Sequence, residues 1–244
     1  MIQLIDIQKN FDGLEVLRNV NLTIPKNKIT AVIGLSGSGK SVILKHMLGL
    51  MKPDRGRVLL RGQDIAQMNR TQLRNIRMSY SMLFQSAALL DSMTVFENVA
   101  LPLKELTNTS CEEIAKKVSA NLFQVGLLKS DFDKYPGQLS GGMRKRVGLA
   151  RSLIMQPETI LFDEPTTGLD PLRTKQIHEL IKTTQRKFNI TVVVVSHEIP
   201  KILYVADYAA VLHEGKIIEF DTSEKVLNSN NPIVSELVRG DMDV

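Results

Sequence analysis

The sequence has little that would place the protein outside a cell or within a membrane. It has one cysteine in 244 residues, which excludes a disulfide framework and agrees with a reducing compartment. No apolar run approaches the roughly 18 residues that a membrane helix needs. The first residues, Met-Ile-Gln-Leu-Ile-Asp, lack the basic and apolar regions of a signal peptide. These absences predict a chain without a leader or a membrane span.

The charge is modest as well. A net charge of +5 at pH 7 tolerates an acidic membrane surface or nucleic acid but requires neither. A chain of this length with 43% hydrophobic residues can bury a good core, as one domain with a subdomain or as two domains. Composition therefore leaves the function to be inferred from motifs.

One stretch places a glycine-rich turn between a strand and a helix. Residues 34–41, Gly-Leu-Ser-Gly-Ser-Gly-Lys-Ser, match the phosphate-loop pattern G-x-x-x-x-G-K-[ST] in full. The preceding residues 29–33 are apolar and mostly β-branched, and the apolar residues that follow recur at helical spacing. Such a turn directs free backbone N–H groups toward a polyphosphate. We expect Lys40 to reach the outer phosphates and Ser41 to bind Mg²⁺; a chance glycine-rich turn is the less favoured alternative.

Another strand-like run ends in two carboxylates. Residues 159–164 are Thr-Ile-Leu-Phe-Asp-Glu. An Asp-Glu pair after a strand is often an ordinary polar loop, but a phosphate loop in the same chain favours a catalytic interpretation. Asp163 is then expected to hold Mg²⁺ through its water shell. Glu164, one residue beyond the strand, is expected to accept a proton from an attacking water.

A second helix start is suited to an anion. Residues 139–143, Leu-Ser-Gly-Gly-Met, open a helical segment, and Ser140 has the properties of an N-cap. Gly141 and Gly142 leave backbone N–H groups open, where the helix dipole favours negative charge by about 0.3–1 kcal/mol. The basic triplet 144–146 is expected to add positive charge there. One explanation for two phosphate-facing helix starts is a two-fold dimer in which each loop caps the other subunit's nucleotide.

Four residues are ambiguous from local sequence. Phe11, expected in a loop between two strands, either stacks on an adenine or belongs to the core. Gln85 ends an apolar segment and is uninformative by itself. Asp170 precedes a proline and has a structural role as the N-cap of a helix. His197 follows a β-branched run, at the carboxyl end of a strand, where open α/β sheets bind their ligands.

The remaining pattern predicts structural elements. Strands are expected over residues 2–7 and 16–24, a helix opened by a capping box at Ser110, and a final helix over residues 224–239. Pro102 is expected to limit any helix within residues 86–103. Apolar side chains cluster between residues 86 and 102; either they pack inside this part of the chain or a partner covers them.

Together these stretches resemble the ATP-binding cassette (ABC) ATPases over essentially the whole chain. Residues 34–41 are similar to the Walker A motif, residues 139–143 to the signature motif and residues 160–164 to the Walker B motif. In the same comparison Gln85 falls in the Q-loop, Asp170 in the D-loop and His197 in the switch loop. Any one motif is weak, but six in the right order are very specific.

Two residues depart from the common pattern of that family. Phe11 stands where the family stacks adenine, usually with tyrosine, and Met143 stands where the signature commonly has glutamine. Ser140 and Gly142 matter more for ATP chemistry than Met143, so the departure puts little in doubt.

The resemblance implies an ATPase that uses ATP and Mg²⁺ in a head-to-tail dimer with two nucleotides between the subunits. Its catalytic residues would be Glu164, His197 and Gln85, and its magnesium site Ser41, Gln85 and Asp163. The nucleotide contacts would be Phe11, Val16, Gly34, Ser36, Gly37, Ser38, Gly39, Lys40, Ser41, Val42, Ser140, Gly141, Gly142 and Asp170.

The implied fold is α/β, a P-loop NTPase core of the ABC type. It has a mostly parallel sheet flanked by helices, an N-terminal antiparallel β part and an inserted α-helical subdomain. The resemblance implies a single ABC ATPase domain over residues 1–244, with a nucleotide-binding core over 1–85 and 157–244. The helical subdomain, residues 86–156, would carry the signature motif.

A narrower resemblance concerns residues 82–90, 93–103 and 139–146, which look like ATPases of MCE-type lipid transporters, with the Mla phospholipid system the nearest. It implies a membrane permease as partner, together with an MCE-domain protein and a small STAS-domain subunit. The expected location is the cytoplasmic face of the inner (cell) membrane, as a peripheral protein. The Mla ATPase can carry a longer C-terminal tail that grips its twin; since this sequence ends soon after Arg239, that contact is expected to be absent.

Other classes fit less well. The alternative within the transporter class is the ATPase of a polar amino-acid or other small-solute importer. Nucleic-acid-processing ABC ATPases carry long coiled coils, for which residues 86–139 are too short, so no nucleic-acid partner is expected. The translation-factor type has two cassettes, whereas each motif occurs once here. A non-hydrolysing regulator would normally lack Glu164 or His197.

Overall fold

The structure, a computed structural model, describes residues 1–240. Its contacts divide the chain into two compact units. The first unit comprises Met1–Arg77 together with the chain from Gln185 onward, and the second comprises Met78–Thr184. The predicted helical subdomain, residues 86–156, lies wholly within the second unit, and its boundaries stay a prediction.

The first unit begins with an antiparallel sheet. Its strands are β1 (Ile2–Phe11), β2 (Leu14–Ile24), β4 (Arg55–Leu60) and β5 (Gln63–Asp64), in the spatial order β2-β1-β4-β5. The predicted strands over 2–7 and 16–24 fall within β1 and β2, but both strands are longer than expected. They extend because Asp12 and Gly13, with φ of +48° and +86°, form a two-residue turn that keeps the hairpin paired to its tip.

The other strands of the first unit are arranged around β3 (Ile29–Ile33). It pairs in parallel with β8 (Thr191–Ser196) on one side and β9 (Tyr208–His213) on the other, and β10 (Lys216–Thr222) pairs antiparallel with β9. Every residue of β3 and β8 is buried. This burial explains why both strands are continuous apolar, β-branched runs rather than alternating ones.

The helices of the first unit are short. They are α1 (Lys40–Met47), α2 (Arg70–Met78), α7 (Ile199–Leu203), α8 (Ser223–Leu227) and α9 (Pro232–Arg239), with a 3₁₀ turn at Ile65–Gln67. The prediction of one final helix over residues 224–239 is wrong, because α8 and α9 are separate. The residue before a proline disfavours the helical conformation, and here Asn231 instead caps α9, accepting a hydrogen bond from the Ile233 N–H at 3.0 Å.

The second unit is mainly helical. The strands β6 (Tyr80–Leu83) and β7 (Thr159–Asp163) pair in parallel. The helices are α3 (Val95–Leu106), α4 (Cys111–Gln124), α5 (Gly141–Leu153) and α6 (Pro171–Phe188), with 3₁₀ turns at Lys129–Asp131 and Pro136–Gln138. Helix α5 packs against α3, α4 and β6, so the helix that carries the predicted signature lies at the centre of this unit.

Helix α3 contradicts one expectation. Pro102 lies inside it, although the proline was expected to limit any helix there. The helix persists because its inner face is fixed by packing: Val95 and Val99 are fully buried. Its start is also strong, since Thr94 and Glu97 form a capping box. At Ser110 the serine half of the predicted capping box is present, since its hydroxyl accepts from the Glu113 N–H at 3.3 Å, while the Glu113 carboxylate pairs with Lys117 at 2.7 Å.

The apolar cluster between residues 86 and 102 divides into two groups. Ala87 and Val95 are buried within the second unit, whereas Leu90 remains 43% exposed. Asn98, fully buried, shapes the loop between them: its amide bonds to both the N–H and the carbonyl of Leu90 and to the carbonyl of Met93. Packing therefore accounts for part of the cluster only. Within residues 1–240, no helix combines the length and apolar composition needed to cross a bilayer.

His46 of α1 gives the fold a dependence on pH. The side chain is fully buried, and its Nδ1 lies 2.7 Å from the Val42 carbonyl oxygen, to which it donates. Burial lowers the pKa of His46 below its ordinary value of 6.5. Because the unfolded chain binds this proton more readily, stability is full above about pH 6.5 and falls as pH drops toward the folded-state pKa.

We expect His46→Asn to flatten the loss of stability between pH 7 and pH 5, because asparagine does not titrate. Asparagine also preserves a bond to the carbonyl four residues earlier, as Asn98 does to Thr94 at 3.0 Å. The measurement is urea unfolding of both proteins at pH 7 and pH 5. An equal loss of unfolding free energy in the two proteins would show that His46 is not the titrating group.

Candidate functional site

The predicted phosphate loop connects β3 to α1 in the first unit. A Cβ at Gly34 would overlap the carbonyl oxygen of Leu212. Gly39 has a φ of +101°, and a Cβ there would lie 2.9 Å from the Leu17 side chain. Both positions therefore require glycine. The turn packs against the Leu212 carbonyl and the Leu17 side chain. Ser36 and Gly37, in the middle of the turn, remain exposed.

Lys40 closes this loop from the inside. Its side chain is 5% exposed, and its Nζ donates to the carbonyls of Gly34 at 2.9 Å and Leu35 at 2.7 Å. In the described part of the chain, no side chain caps the start of α1, where Gly39 occupies the N-cap position. The Ser38 Oγ is buried without a hydrogen-bond partner among residues 1–240. A cation, uncapped N–H groups and an unsatisfied hydroxyl fit a polyphosphate.

The aromatic residue at the hairpin does not lie where it was expected. Phe11 is the last residue of β1 and pairs with Leu14, rather than lying in a loop. The two-residue turn at Asp12 and Gly13 keeps the strands paired up to this position. The Phe11 ring is 39% exposed and therefore does not belong to the core; its stacking on adenine stays a prediction. Val16 lies beside Gly39, where a Cβ would be 3.2 Å from Val16 Cγ1. The start of β2 therefore lies against the phosphate loop.

His197 follows β8 directly. Because β8 runs parallel to β3, with Ser196 opposite Ile33, His197 and the phosphate loop follow the carboxyl ends of adjacent strands. Ligands of open α/β sheets bind at this edge. Within the first unit, the structure thus brings the predicted switch-loop histidine and the phosphate loop to one edge. Val42, also predicted as a nucleotide contact, lies half-buried in α1.

In the second unit, too, predicted site residues follow the carboxyl ends of two adjacent parallel strands, here β6 and β7. Parallel pairing of β6 and β7 places Leu83 opposite Phe162, so Gln85 and the pair Asp163 and Glu164 follow the same sheet edge. As predicted from the sequence, β7 ends at Asp163 and Glu164 lies one residue beyond it. Glu164 has a φ of +50°, and its Oε2 lies 3.3 Å from the Thr167 hydroxyl, which donates to it. The turn after β7 thus fixes the carboxylate of Glu164.

The predicted signature opens α5 as expected. The Ser140 hydroxyl accepts from the Met143 N–H at 3.3 Å. A Cβ on Gly141 would lie 3.4 Å from Leu169. Asp170 has its predicted structural role, accepting at 2.9 Å from the Arg173 N–H at the start of α6. The signature loop and the predicted D-loop are therefore neighbours in the second unit.

The basic triplet 144–146 lies just inside the start of α5, as predicted, and its three side chains bond different carbonyls. Arg144 donates to the Leu139 carbonyl at 2.7 Å, and Arg146 donates to the Val125 carbonyl at 3.1 Å. Lys145 is 5% exposed and donates to the carbonyl of Gln85. On a helix, three consecutive side chains point in different directions, so each cation bonds a separate part of the second unit.

Sequence reasoning missed two residues of this unit that bond to the main chain, Arg151 and Asn98. Arg151 of α5 donates to the carbonyls of Ala87 and Ala88, and Asn98 orders the loop that follows. Arg151 bonds carbonyls 63 and 64 residues earlier, whereas Asn98 bonds the backbone of Leu90, Met93 and Thr94, and no motif reveals either set of bonds. For Arg151, the sequence offers one indication: Lys145, Gly148 and Arg151 recur every three residues and so share one face of a helix.

Comparison with known proteins identifies the class of this chain. The family model described as "ABC transporter" matches residues 17–167, more than half of the chain. Among solved structures, the ATP-binding cassette MJ0796 bound to ADP and Pi superposes with a TM-score of 0.83 at 31% identity, covering 91% of this chain and 99% of that one. The chain belongs to the ABC transporter family and has the fold of its ATP-hydrolysing cassettes.

Three curated proteins with different named cargoes have similar sequence identity to this chain. The probable ribonucleotide transport ATP-binding protein mkl of Mycobacterium bovis is 38% identical over 98% of this chain, which spans 66% of that protein. The phospholipid transport protein MlaF of Haemophilus influenzae is 40% identical over 92% of this chain and 85% of its own length. The methionine import protein MetN of Haemophilus ducreyi is 40% identical over all of this chain and 72% of its own length.

Lys40 gives the sharpest test of the phosphate loop. Lys40→Ala removes the cation inside the loop, and hydrogen bonds to charged groups are worth about 1.5–3 kcal/mol each, so we expect ATP binding to weaken at least tenfold. Lys45→Ala, at an exposed position of the same helix, is the matched control and should bind as the parent does. Unchanged affinity of Lys40→Ala in a nucleotide titration would remove Lys40 from the site.

Proposed function

We propose that this protein is the ATP-hydrolysing subunit of a membrane transporter that moves phospholipid or another lipid with an MCE-type system. One observation supports the ATPase part most directly: an uncapped helix start and a buried Lys40 lie beside the strand end that carries His197. Family membership supports the same assignment. The cargo is inferred from the MlaF relatives and from the narrower sequence resemblance.

The residues take distinct roles in this proposal. Lys40 and the N–H groups at the start of α1 bind the phosphates, and the exposed ring of Phe11 stacks on the adenine. Glu164, oriented by Thr167, accepts the proton of the attacking water. His197 contacts the γ-phosphate at the end of β8.

A magnesium ion fits the donors that the chain offers. The hydroxyl of Ser41, the carboxylate of Asp163 and the amide of Gln85 are hard oxygen ligands of the kind Mg²⁺ prefers, and it keeps several waters besides. When bound, the ion neutralises phosphate charge. The protein's own contribution is to hold Ser41 at the start of α1 and Asp163 at the end of β7.

The second copy of the chain supplies the signature loop in this proposal. Ser140 is exposed at the start of α5, and Gly142 follows it without a side chain. A helix N-terminus of this kind binds an anion, and a head-to-tail two-fold dimer presents it to the nucleotide of the other subunit. Asp170, exposed beside it, then lies at the dimer contact.

Mixing two inactive variants tests the dimer. Ser140→Arg places bulk and charge at the loop, so isolated subunits should bind ATP but lose hydrolysis. Lys40→Ala should lose hydrolysis for a different reason. A mixture should regain activity, because each heterodimer has one site with both halves intact. Mixtures as inactive as their components would contradict a signature loop that acts on the partner's nucleotide.

The transporter assignment rests on a separate surface. Phe84 and Leu90 are 42% and 43% exposed on either side of the turn that follows Gln85. Exposed apolar side chains grouped this way favour a partner. We assign this surface to a cytoplasmic helix of the permease, the position through which nucleotide binding is passed to the membrane.

Import of methionine is the second candidate, because MetN is as similar to this chain as MlaF is. The two candidates differ in what the purified complex with its permease binds. We expect phospholipid to co-purify, detected by mass spectrometry, and phospholipid vesicles to change ATP hydrolysis. Stimulation by free methionine with no bound lipid would reject the lipid assignment and favour the amino-acid importer.

A further inference from the structure

One face of α5 donates hydrogen bonds to the main chain around Gln85. Lys145 Nζ donates to the Gln85 carbonyl. The Arg151 guanidinium donates to the Ala87 carbonyl at 2.8 Å and the Ala88 carbonyl at 2.9 Å. Three of the four carbonyls from residue 85 to residue 88 are therefore held by two cations of the helix that begins at the signature loop.

Lys145 is removed from water, and Arg151 is half-buried. Lys145 is 5% exposed, and burial lowers the pKa of Lys145 and the pKa of Arg151. The attraction of Glu164 and then of Asp163 opposes this lowering at Lys145. A buried cation is unfavourable unless it is paired or hydrogen-bonded, and the carbonyls after Gln85 are partners of this kind. The same hydrogen bonds that stabilise the two cations therefore also restrain the backbone of residues 85–88.

The segment itself is strained. Ala87 and Ala88 have φ of +61° and +45°, a left-handed conformation that is unfavourable for residues other than glycine. Strained backbone persists when the surroundings over-determine it. Here Gly148 lets α5 approach so closely that a Cβ would lie 2.5 Å from the Leu83 side chain, and Ser152 lies 3.3 Å from the Met82 carbonyl, to which it donates.

We propose that Lys145 and Arg151 are positioning residues that fix Gln85 to the signature helix, so that Gln85 moves with α5 during ATP turnover. The proposal rests on the proposed function, in which Gln85 is a ligand of the magnesium ion. Neither cation needs to touch the nucleotide. Their effect on turnover passes through Gln85, and this feature distinguishes them from residues that merely stabilise the unit.

A double-mutant cycle tests the proposal in the full-length protein. Lys145→Met keeps the aliphatic stem and removes the donor; we expect kcat to fall about tenfold while ATP affinity stays within twofold of the parent. When Gln85 is already alanine, adding Lys145→Met should lower kcat less than twofold further. Equal fold-losses in the two backgrounds would overturn the proposal, because they would show that Lys145 does not act through the Gln85 side chain.

Conservative and control variants separate positioning from folding. Lys145→Arg restores a donor and should regain most of the lost kcat. Arg151→Lys keeps the charge but bonds one carbonyl instead of two, and should lower kcat with melting close to the parent. Lys116→Met removes an exposed lysine of α4 that pairs with Glu112 and should match the parent. Losses of kcat that track melting temperature across this set would also overturn the proposal.

The parental protein keeps the two proposals distinguishable. If it hydrolyses no ATP, the proposed function fails before the cycle is measured. If it hydrolyses ATP and the cycle shows equal losses, the proposed function stands and only the positioning roles of Lys145 and Arg151 fail.

Discussion

The phosphate loop of the first unit is organised around the buried ammonium group of Lys40. Lys40 closes the phosphate loop by bonding two of its own carbonyls, and the elements around it keep the loop tight. Gly34 admits the Leu212 carbonyl and Gly39 admits the Leu17 side chain, where a Cβ would not fit. β3, buried along its whole length, fixes the position from which the loop starts. The loop is thereby organised before any phosphate arrives, which lowers the cost of binding.

The second unit is organised by bonds from α5 to distant carbonyls. Its first basic residues reach three different segments, the carbonyls of Leu139, Gln85 and Val125, and Arg151 reaches the strained turn after Gln85. In the proposed function the start of α5 contacts the nucleotide and the residues near its other bonds contact the permease, so these bonds make α5 a rigid link between the two.

Specificity for cargo does not reside in the features that define the family. Relatives named for phospholipid, methionine and ribonucleotide transport lie within a few per cent of one another in identity to this chain. The residues assigned to ATP chemistry are mostly polar residues and glycines near strand ends and helix starts, whereas Phe84 and Leu90 are exposed apolar side chains on either side of Gln85. The cargo is therefore expected to depend on the partner that covers those side chains.

The sequence by itself determined the phosphate loop, the end of β7 at Asp163 and the caps at Ser140 and Asp170, since each depends on residues adjacent in the chain. It also contained the family, through the order of six motifs. Only the tertiary structure decided that α3 continues through Pro102, that residues 224–239 form two helices and that Phe11 ends a strand. It alone placed Lys145 and Arg151 against the carbonyls after Gln85. These features depend on packing and on hydrogen bonds between residues about 60 positions apart, and local preferences do not encode such pairings.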